Sequence, residues 1–270
     1  MTLTPLQSAE MMGSRYCRLI GVLGTPDAGK TAALVSLYLL LARNKLGRIR
    51  FRDSRSLMAF DELSQGARQW NEGQPPDQLT VHTELADDRS AGFLHLRLAA
   101  DGAESNDLLL PDLPGEWTSS LIEKNRTDRL QFLKGADVLW LMLDGRQLTV
   151  LETRQLAIHR AKLLVQRVAA LIDKSVPLLL VVTRRDQCEV DDKTLEEICA
   201  EAQSQGFSME IFQIASFASA EGGVAAGSGI HELMLASMQT GRTTPEFWPE
   251  EADAALQNRA MMRFNLKRQA

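Results

Sequence analysis

The stretch GTPDAGKT, residues 24–31, lies between two apolar segments of the chain. The preceding segment, YCRLIGVL, is typical of a buried strand, and the following one, AALVSLYLLLA, has the composition of a helix. The stretch matches G-x-x-x-x-G-K-[ST], in which the glycines let successive backbone N–H groups face one anion. The helix adds the positive end of its dipole at the same point. These residues predict a nucleotide phosphate site.

Two side chains of this loop carry the predicted chemistry. Lys30 is expected to reach the β- and γ-phosphates and to stabilise charge that develops there, and the Thr31 hydroxyl is expected to bind Mg²⁺. The predicted phosphate site consists of the loop and the residue after it: Gly24, Thr25, Pro26, Asp27, Ala28, Gly29, Lys30, Thr31 and Ala32.

Composition narrows the class of protein. The 270 residues are 44% hydrophobic, which is enough for a full core, and the net charge of −5 argues against a general nucleic-acid binder. Three unpaired cysteines, with no charged-then-apolar leader at the start, favour a cytoplasmic protein. The apolar run that follows the phosphate loop is too short to span a bilayer, so no membrane span is expected.

Continuous apolar strands alternate with helical segments along the chain. This pattern predicts an α/β fold with a parallel sheet covered by helices on both faces. Helices are predicted at 119–133 and 148–172, and a strand at 79–85. The predicted domain organisation is an N-terminal extension at 1–15, a P-loop domain at 16–240 with an insertion at about 45–79, and a C-terminal tail at 241–270.

A second element, LLLPDLPGEW at 108–117, follows a predicted hairpin. Asp112 ends a short apolar strand, where its carboxylate is positioned to hold Mg²⁺ through water. Gly115 follows three residues later and can present its N–H to a γ-phosphate, where a side chain would crowd the site. An isolated Asp-x-x-Gly is most often a turn. The upstream phosphate loop makes the functional interpretation the stronger one.

A third element, TRRDQ at 183–187, follows an apolar strand. Ligands bind at the carboxyl ends of such strands, and the Asp186 carboxylate suits the paired N1–H and N2–H₂ donors of guanine. The alternative is an ordinary charged surface loop. Farther on, the small residues of IASFAS, at 214–219, would let a backbone N–H approach the guanine oxygen.

Taken in order, these elements resemble the Ras-like P-loop GTPase superfamily over roughly residues 16–240. The DLPGE stretch after a long insertion is similar to the bacterial double-GTPase families of predicted conflict systems. The resemblance implies a three-layer fold with a six-stranded, mostly parallel sheet, and a cycle between GTP-bound and GDP-bound forms. It also implies roles for four segments: phosphate loop at 24–31, second switch at 112–116, base reader at Thr183, Arg184 and Asp186, and guanine backstop at Ala215 and Ser216.

Three departures from the family pattern affect the expected activity. Arg184 stands where a lysine usually covers the base, although a guanidinium plane can also stack on a purine. Glu116 stands where many members have a water-orienting glutamine, and a carboxylate there repels the γ-phosphate, so hydrolysis is expected to be slow. A first-switch threonine for Mg²⁺ would be Thr80 or Thr83, and the sequence favours neither.

The sequence therefore predicts a GTP-binding protein with slow hydrolysis that acts as a switch on a partner protein, an effector or an activating protein. GTP or GDP and Mg²⁺ are the expected cofactors, and Lys30 and Glu116 the expected catalytic residues. Two alternatives stay open: a nucleotide-binding subunit with little or no hydrolysis, and an ATPase or kinase of the same loop class. Arg126 and Arg129 are predicted to share a helix face, more plausibly a solvated face than an arginine finger.

Overall fold

The computed structural model describes residues 2–64, 91–218 and 223–239, all within one compact unit. The strands are β1 Cys17–Leu23, β2 Ile49–Asp53, β3 Gly92–Ala100, β4 Ser105–Asp112, β5 Val138–Asp144, β6 Leu178–Thr183 and β7 Met209–Gln213. The α-helices are α1 Pro5–Ser14, α2 Lys30–Ala42, α3 Leu57–Leu63, α4 Gly115–Lys124, α5 Gly145–Thr149, α6 Leu151–Leu171, α7 Asp192–Ser204 and α8 Ile230–Gln239. A 3₁₀ helix spans Asp128–Gly135.

The strands form a single sheet in the order β2-β3-β4-β1-β5-β6-β7. The pairs from β4 to β7 are parallel, and β2 and β3 add two antiparallel pairs at one side. The predicted α/β class and mostly parallel sheet are confirmed, but the expected six strands are seven. The additional edge strand is β2, which lies in the segment predicted as an insertion and pairs with β3 from Ile49 opposite Ala100.

Hydrophobic residues fill the space on both faces of the sheet. In β1, Leu19 and Leu23 join one core cluster, whereas Ile20 and Val22 join the other. The first cluster is completed by α1, α4, the 3₁₀ helix, α6 and α7, and the second by α2, α3 and α8. Successive side chains of a strand point to opposite faces, so a strand buried on both sides must be apolar throughout. The continuous apolar strands of the sequence therefore correspond to a three-layer fold.

The parallel register places several chain segments at one edge of the sheet. The phosphate-loop segment leaves β1 after Leu23 and enters α2 at Lys30, as predicted. Because β4, β5 and β6 run in the same direction as β1, their ends at Asp112, Asp144 and Thr183 lie at the same edge. Ligands bind at this edge in open α/β sheets.

Two helix predictions are wrong in extent. The predicted helix at 119–133 ends at Lys124, since Asn125 adopts a left-handed conformation with φ of 52° and the chain continues as a 3₁₀ helix. Arg126 and Arg129 therefore do not share a helix face. The predicted helix at 148–172 is divided at Val150, whose extended backbone separates α5 from α6.

The N-terminal segment packs on the same fold. Thr4 and Gln7 form a reciprocal capping box at the start of α1, and Leu3 forms an antiparallel bridge with Phe93 of β3. The predicted strand at 79–85, Thr80, Thr83 and the tail at 241–270 lie outside the described residues. Among the helices that the structure describes, none is long and apolar enough to cross a bilayer.

Candidate functional site

A cavity of about 410 Å³ lies at the carboxyl edge of the sheet. Its walls come from three segments that are far apart in sequence: the phosphate loop, the start of α4 and the loop after β6. The lining residues are Pro26, Asp27, Gly29, Lys30, Thr31, Ala32, Leu113, Pro114, Gly115, Glu116 and Arg184. The structure therefore brings together residues from all three of the motifs that carried the sequence prediction.

Lys30 is the charged residue at the base of this cavity and is only 8% exposed. Its ammonium group donates hydrogen bonds to the carbonyl oxygens of Gly24 at 2.9 Å and Thr25 at 3.0 Å. Burial lowers the pKa of Lys30 to about 8, although the nearby carboxylates of Asp112 and Glu116 act in the opposite direction. A buried cation that lines a cavity is suited to an anionic ligand.

Three glycines of the motifs have positions that a larger residue would disturb. Gly29 caps α2 in a left-handed conformation with φ of 86°. A Cβ on Gly24 would come within 2.9 Å of the Met142 carbonyl oxygen, and one on Gly115 would overlap the backbone of Pro26. The start of α4 therefore lies directly against the phosphate loop, closer than any side chain would allow. This close approach is an observation that fits a backbone cradle for phosphate.

A hydrogen bond from Gly24 to Thr118 links the phosphate loop to α4. The Gly24 N–H donates to the Thr118 hydroxyl oxygen at 3.1 Å, and both groups are buried. Sequence reasoning missed Thr118. The available signal was its spacing, since a residue three positions after Gly115 on a helix returns to the face that Gly115 presents to the loop.

The residues predicted to hold Mg²⁺ are a hydroxyl and a carboxylate of suitable type. Thr31 lines the cavity in the first turn of α2, and Asp112 is buried at the end of β4, near enough to Lys30 to influence its pKa. The described residues contain no group of three or more His, Cys, Asp or Glu arranged for a metal. Mg²⁺ at a nucleotide site does not need such a group, because it uses one or two protein oxygens, phosphate oxygens and water. The residues present therefore fit this ion.

Glu116 is exposed in the first turn of α4 and forms part of the cavity wall. The residue next to it, Trp117, is 7% exposed, and the Arg129 guanidinium lies 5.3 Å from the centre of its ring. Arg129 is exposed, as expected for a solvated residue, and its guanidinium also contacts this aromatic face. Glu116 is the side chain of α4 that faces the cavity.

The loop after β6 reaches the phosphate loop through Arg184 and Thr183. Arg184 has φ of 64°, and its guanidinium donates to the Asp27 carbonyl oxygen at 3.1 Å. A Cβ on Gly29 would come within 3.0 Å of the Thr183 side chain, so Thr183 packs against the phosphate loop. The Thr183 hydroxyl donates to the Leu143 carbonyl at 3.2 Å.

A buried carboxylate that the sequence interpretation did not include holds Arg184. Asp144, at the end of β5, lies 3.2 Å from the Arg184 Nε and 2.9 Å from an Arg146 guanidinium nitrogen. Its hydrogen bond to Arg146 raises the pKa of that guanidinium. The signal was present, because Asp144 ends a predicted parallel strand as Asp186 follows one. However, the ion-pair partners of Asp144 are set by the fold, and no local sequence motif identifies them.

The remaining base-site residues are less closely gathered. Asp186 is half-buried in the loop after β6, and Arg184 alone of the predicted base-reading residues lines the cavity within the described part of the chain. Ala215 is buried, and its N–H donates to the Ser228 carbonyl at 3.0 Å. The Ala215 N–H is therefore already bonded within the fold, and Ser216 does not line this cavity.

The strand, glycine-rich loop and helix at 17–42, in a mostly parallel sheet covered on both faces, are those of a P-loop protein. The model of one family, described as Double-GTPase 2, matches residues 18–238, so the chain belongs to that family. The predicted resemblance to double-GTPase families is confirmed, and with it the class of GTP-binding P-loop proteins.

Comparison with individual proteins adds little to this assignment. No curated protein matches the chain. Crystal structures of two mutation variants of SsGBP are similar over 86% and 76% of this chain, at 12% and 13% sequence identity and TM-scores of 0.41 and 0.38. The chain spans 59% and 51% of those two structures.

Proposed function

We propose that this chain binds GTP with Mg²⁺, hydrolyses it slowly and acts as a nucleotide-dependent switch on a partner protein. The observation that carries the proposal is the shared cavity, in which Lys30, the phosphate loop and the start of α4 meet. A γ-phosphate in this cavity would be next to both Lys30 and the Gly115 backbone. The contacts of α4 would therefore differ between the nucleotide states with and without this phosphate.

The side chains divide the work by their chemistry. Lys30 binds the β- and γ-phosphates and stabilises charge that develops during hydrolysis. Thr31 and Asp112 hold Mg²⁺, which neutralises phosphate charge when bound. Glu116 positions the attacking water at the exposed side of the cavity. Because the Glu116 carboxylate also repels the γ-phosphate, hydrolysis is slow.

The loop after β6 and the turn after β7 bind the base. Arg184 presents a guanidinium plane on which a purine can stack, while it stays fixed between Asp144 and the Asp27 carbonyl. Asp186 accepts the paired donors of guanine, and the Ser216 backbone approaches the guanine oxygen. Without the Asp186 carboxylate, the site would lose its discrimination between guanine and adenine.

A second candidate function is a nucleotide-binding subunit with little or no hydrolysis. The packing of α4 favours it, because Trp117, Thr118 and Leu121 are all buried and Gly115 touches the loop backbone. A helix that is held in this way has less freedom to rearrange than a loop that becomes ordered only with nucleotide.

The test is displacement of a fluorescent GTP analogue from the purified chain with Mg²⁺, with phosphate release measured in parallel. The proposal predicts displacement by GTP and GDP but not by ATP, together with slow, measurable phosphate release. Tight GTP binding without release would favour the second candidate. Displacement by ATP as well would contradict guanine recognition.

A pair of lysine variants controls this test. Lys30→Ala removes the ammonium group from the cavity and is expected to abolish nucleotide binding, because the phosphates lose their buried cation. Lys45→Ala removes an exposed lysine after α2 and is expected to bind as the unaltered chain does. Unchanged binding by Lys30→Ala would remove Lys30 from the site.

A further inference from the structure

Both backbone groups of Gly24 form hydrogen bonds, one with a residue of α4 and one with Lys30 at the start of α2. Its N–H donates to the Thr118 hydroxyl at 3.1 Å, and its carbonyl accepts from the Lys30 ammonium at 2.9 Å. Gly24 thus joins the catalytic lysine and α4 through a single peptide segment. A change in the position of either one is transmitted to the other through a buried hydrogen bond.

The contacts of Thr118 leave little room for α4 to adjust. Thr118 is 1% exposed, and three positions earlier Gly115 lies against the backbone of Pro26 without space for a Cβ. The neighbouring Trp117 is buried, and the Arg129 guanidinium lies over its ring. The hydroxyl of Thr118 is therefore the polar group that sets how α4 is seated on the first residue of the loop.

We infer that Thr118 is a positioning residue that couples α4 to the phosphate loop and thereby sets the preference for nucleoside triphosphate over diphosphate. This inference rests on the proposed function, since it assumes that a γ-phosphate occupies the cavity beside Gly115. Only the triphosphate extends to the start of α4. The diphosphate is held by the loop and Lys30 and makes no direct contact with the start of α4.

The chemistry of the hydroxyl defines what each substitution does. Thr118→Val keeps the shape of the side chain but removes the acceptor, so the buried Gly24 N–H has no partner and α4 shifts to admit water or a new acceptor. Thr118→Ser keeps the acceptor and removes a methyl group. A hydroxyl role and a packing role therefore predict opposite rankings of these two variants.

The experiment compares the dissociation constants of GDP and of a non-hydrolysable GTP analogue for each variant, with Mg²⁺ present. Thr118→Val is expected to lower the preference for the triphosphate by about tenfold, the usual cost of one buried unpaired N–H. Thr118→Ser is expected to stay close to the unaltered chain. Thr194→Val is the matched control, since Thr194 is a buried helix threonine hydrogen-bonded to Asp191, in α7.

Each outcome decides between the inference and its rivals. A folded Thr118→Val chain with an unchanged preference overturns the inference, as does a Thr118→Ser variant that loses as much as Thr118→Val. Equal loss in Thr194→Val would assign the effect to general stability. If the unaltered chain binds neither nucleotide, the proposed function fails instead of this inference.

A measurement on the unaltered chain covers the case in which Thr118→Val does not fold. Hydrogen exchange at the Gly24 amide reports the bond to Thr118 directly. The inference predicts that the GTP analogue slows this exchange more than GDP does. Equal exchange rates with the two nucleotides would overturn it.

Discussion

The candidate site has a phosphate half and a base half, which depend on different kinds of contact. The phosphate half consists of backbone and buried contacts: Gly115 against Pro26, Gly24 bonded to Thr118, and a Lys30 ammonium enclosed by loop carbonyls. The base half depends on side-chain charge. Arg184 is held by Asp144 and by one carbonyl, and it lies in a loop that is partly exposed.

This difference explains why the two halves tolerate change differently. A backbone cradle has no side chain to exchange, so a substitution there must move a helix or a strand. A charged side chain can be replaced by another that performs a related task, as we propose for Arg184 at the position where the family pattern has a lysine. We therefore expect the phosphate half to give the larger losses and the base half to give changes of specificity.

After the loss of binding expected for Lys30→Ala, the largest effect is expected from Gly115→Ala. Its Cβ would overlap the Pro26 backbone, which cannot yield as a flexible side chain can, so α4 must move away from the phosphate loop. GTP affinity is expected to fall about a hundredfold, or about 2.7 kcal/mol. Gly135→Ala is the control, because a Cβ there meets no atom within 4 Å. Equal affinities in the two variants would contradict the close contact.

An intermediate effect is expected from Asp186→Asn. The amide loses the charge that accepts guanine donors, and GTP affinity is expected to fall about thirtyfold. Xanthosine triphosphate carries an oxygen where guanine carries an amino group, so its affinity is expected to rise in the same variant. Asp192→Asn, an exposed position in the first turn of α7, should change neither affinity. A parallel loss for both nucleotides would mean that Asp186 acts only in folding.

The smallest effect is expected from pH. Burial lowers the pKa of Lys30 to about 8, and a bound phosphate raises it again, so binding above that pH must take up a proton. GDP affinity is expected to fall about fivefold between about pH 7 and about pH 8.5. Calorimetry in buffers of different ionisation enthalpy should show proton uptake that grows with pH. A flat affinity with no proton uptake would place the pKa elsewhere.

The lowered pKa of Lys30 also affects the stability of the fold. Its pH dependence there is opposite in sign to that of nucleotide affinity. The unfolded chain holds the Lys30 proton up to its ordinary value of 10.5, whereas the folded chain releases it near 8. Between those values the unfolded state binds more protons, so this residue makes the free energy of unfolding rise with pH. Lys30 contributes nothing to acid denaturation.

Local sequence was sufficient for the parts of the fold that depend on pattern. The apolar segments around 24–31 predicted β1, α2 and the loop between them, because a strand buried on both faces has a distinctive composition. The break at Asn125 was missed although asparagine tolerates the left-handed C-cap conformation, and the break at Val150 was missed because valine carries no such signal. The edge strand β2 lies within the segment that was predicted as an insertion.

The residues of the candidate site also divide into those that local sequence predicts and those that it does not. The loop residues and Gly115 were predictable, because their roles follow from backbone geometry at fixed spacing. Thr118 and Asp144 were not, since each acts through a residue that is distant in sequence, Gly24 and Arg184 respectively. Ala215 was predicted to form part of the guanine backstop, but its N–H donates to the Ser228 carbonyl in the fold. The sequence shows which polar groups the chain contains. Only the packed structure shows which of them already have a hydrogen-bond partner.

The most direct test of the two-part site is calorimetric titration of the unaltered chain with GDP, ADP and pyrophosphate in the presence of Mg²⁺. If the phosphate half and the base half contribute separately, pyrophosphate will bind, ADP will bind no more tightly than pyrophosphate, and GDP will bind at least about tenfold more tightly than either. Equal affinities for GDP and ADP would contradict base reading by the Arg184 and Asp186 loop. Failure of all three to bind would contradict the phosphate site itself.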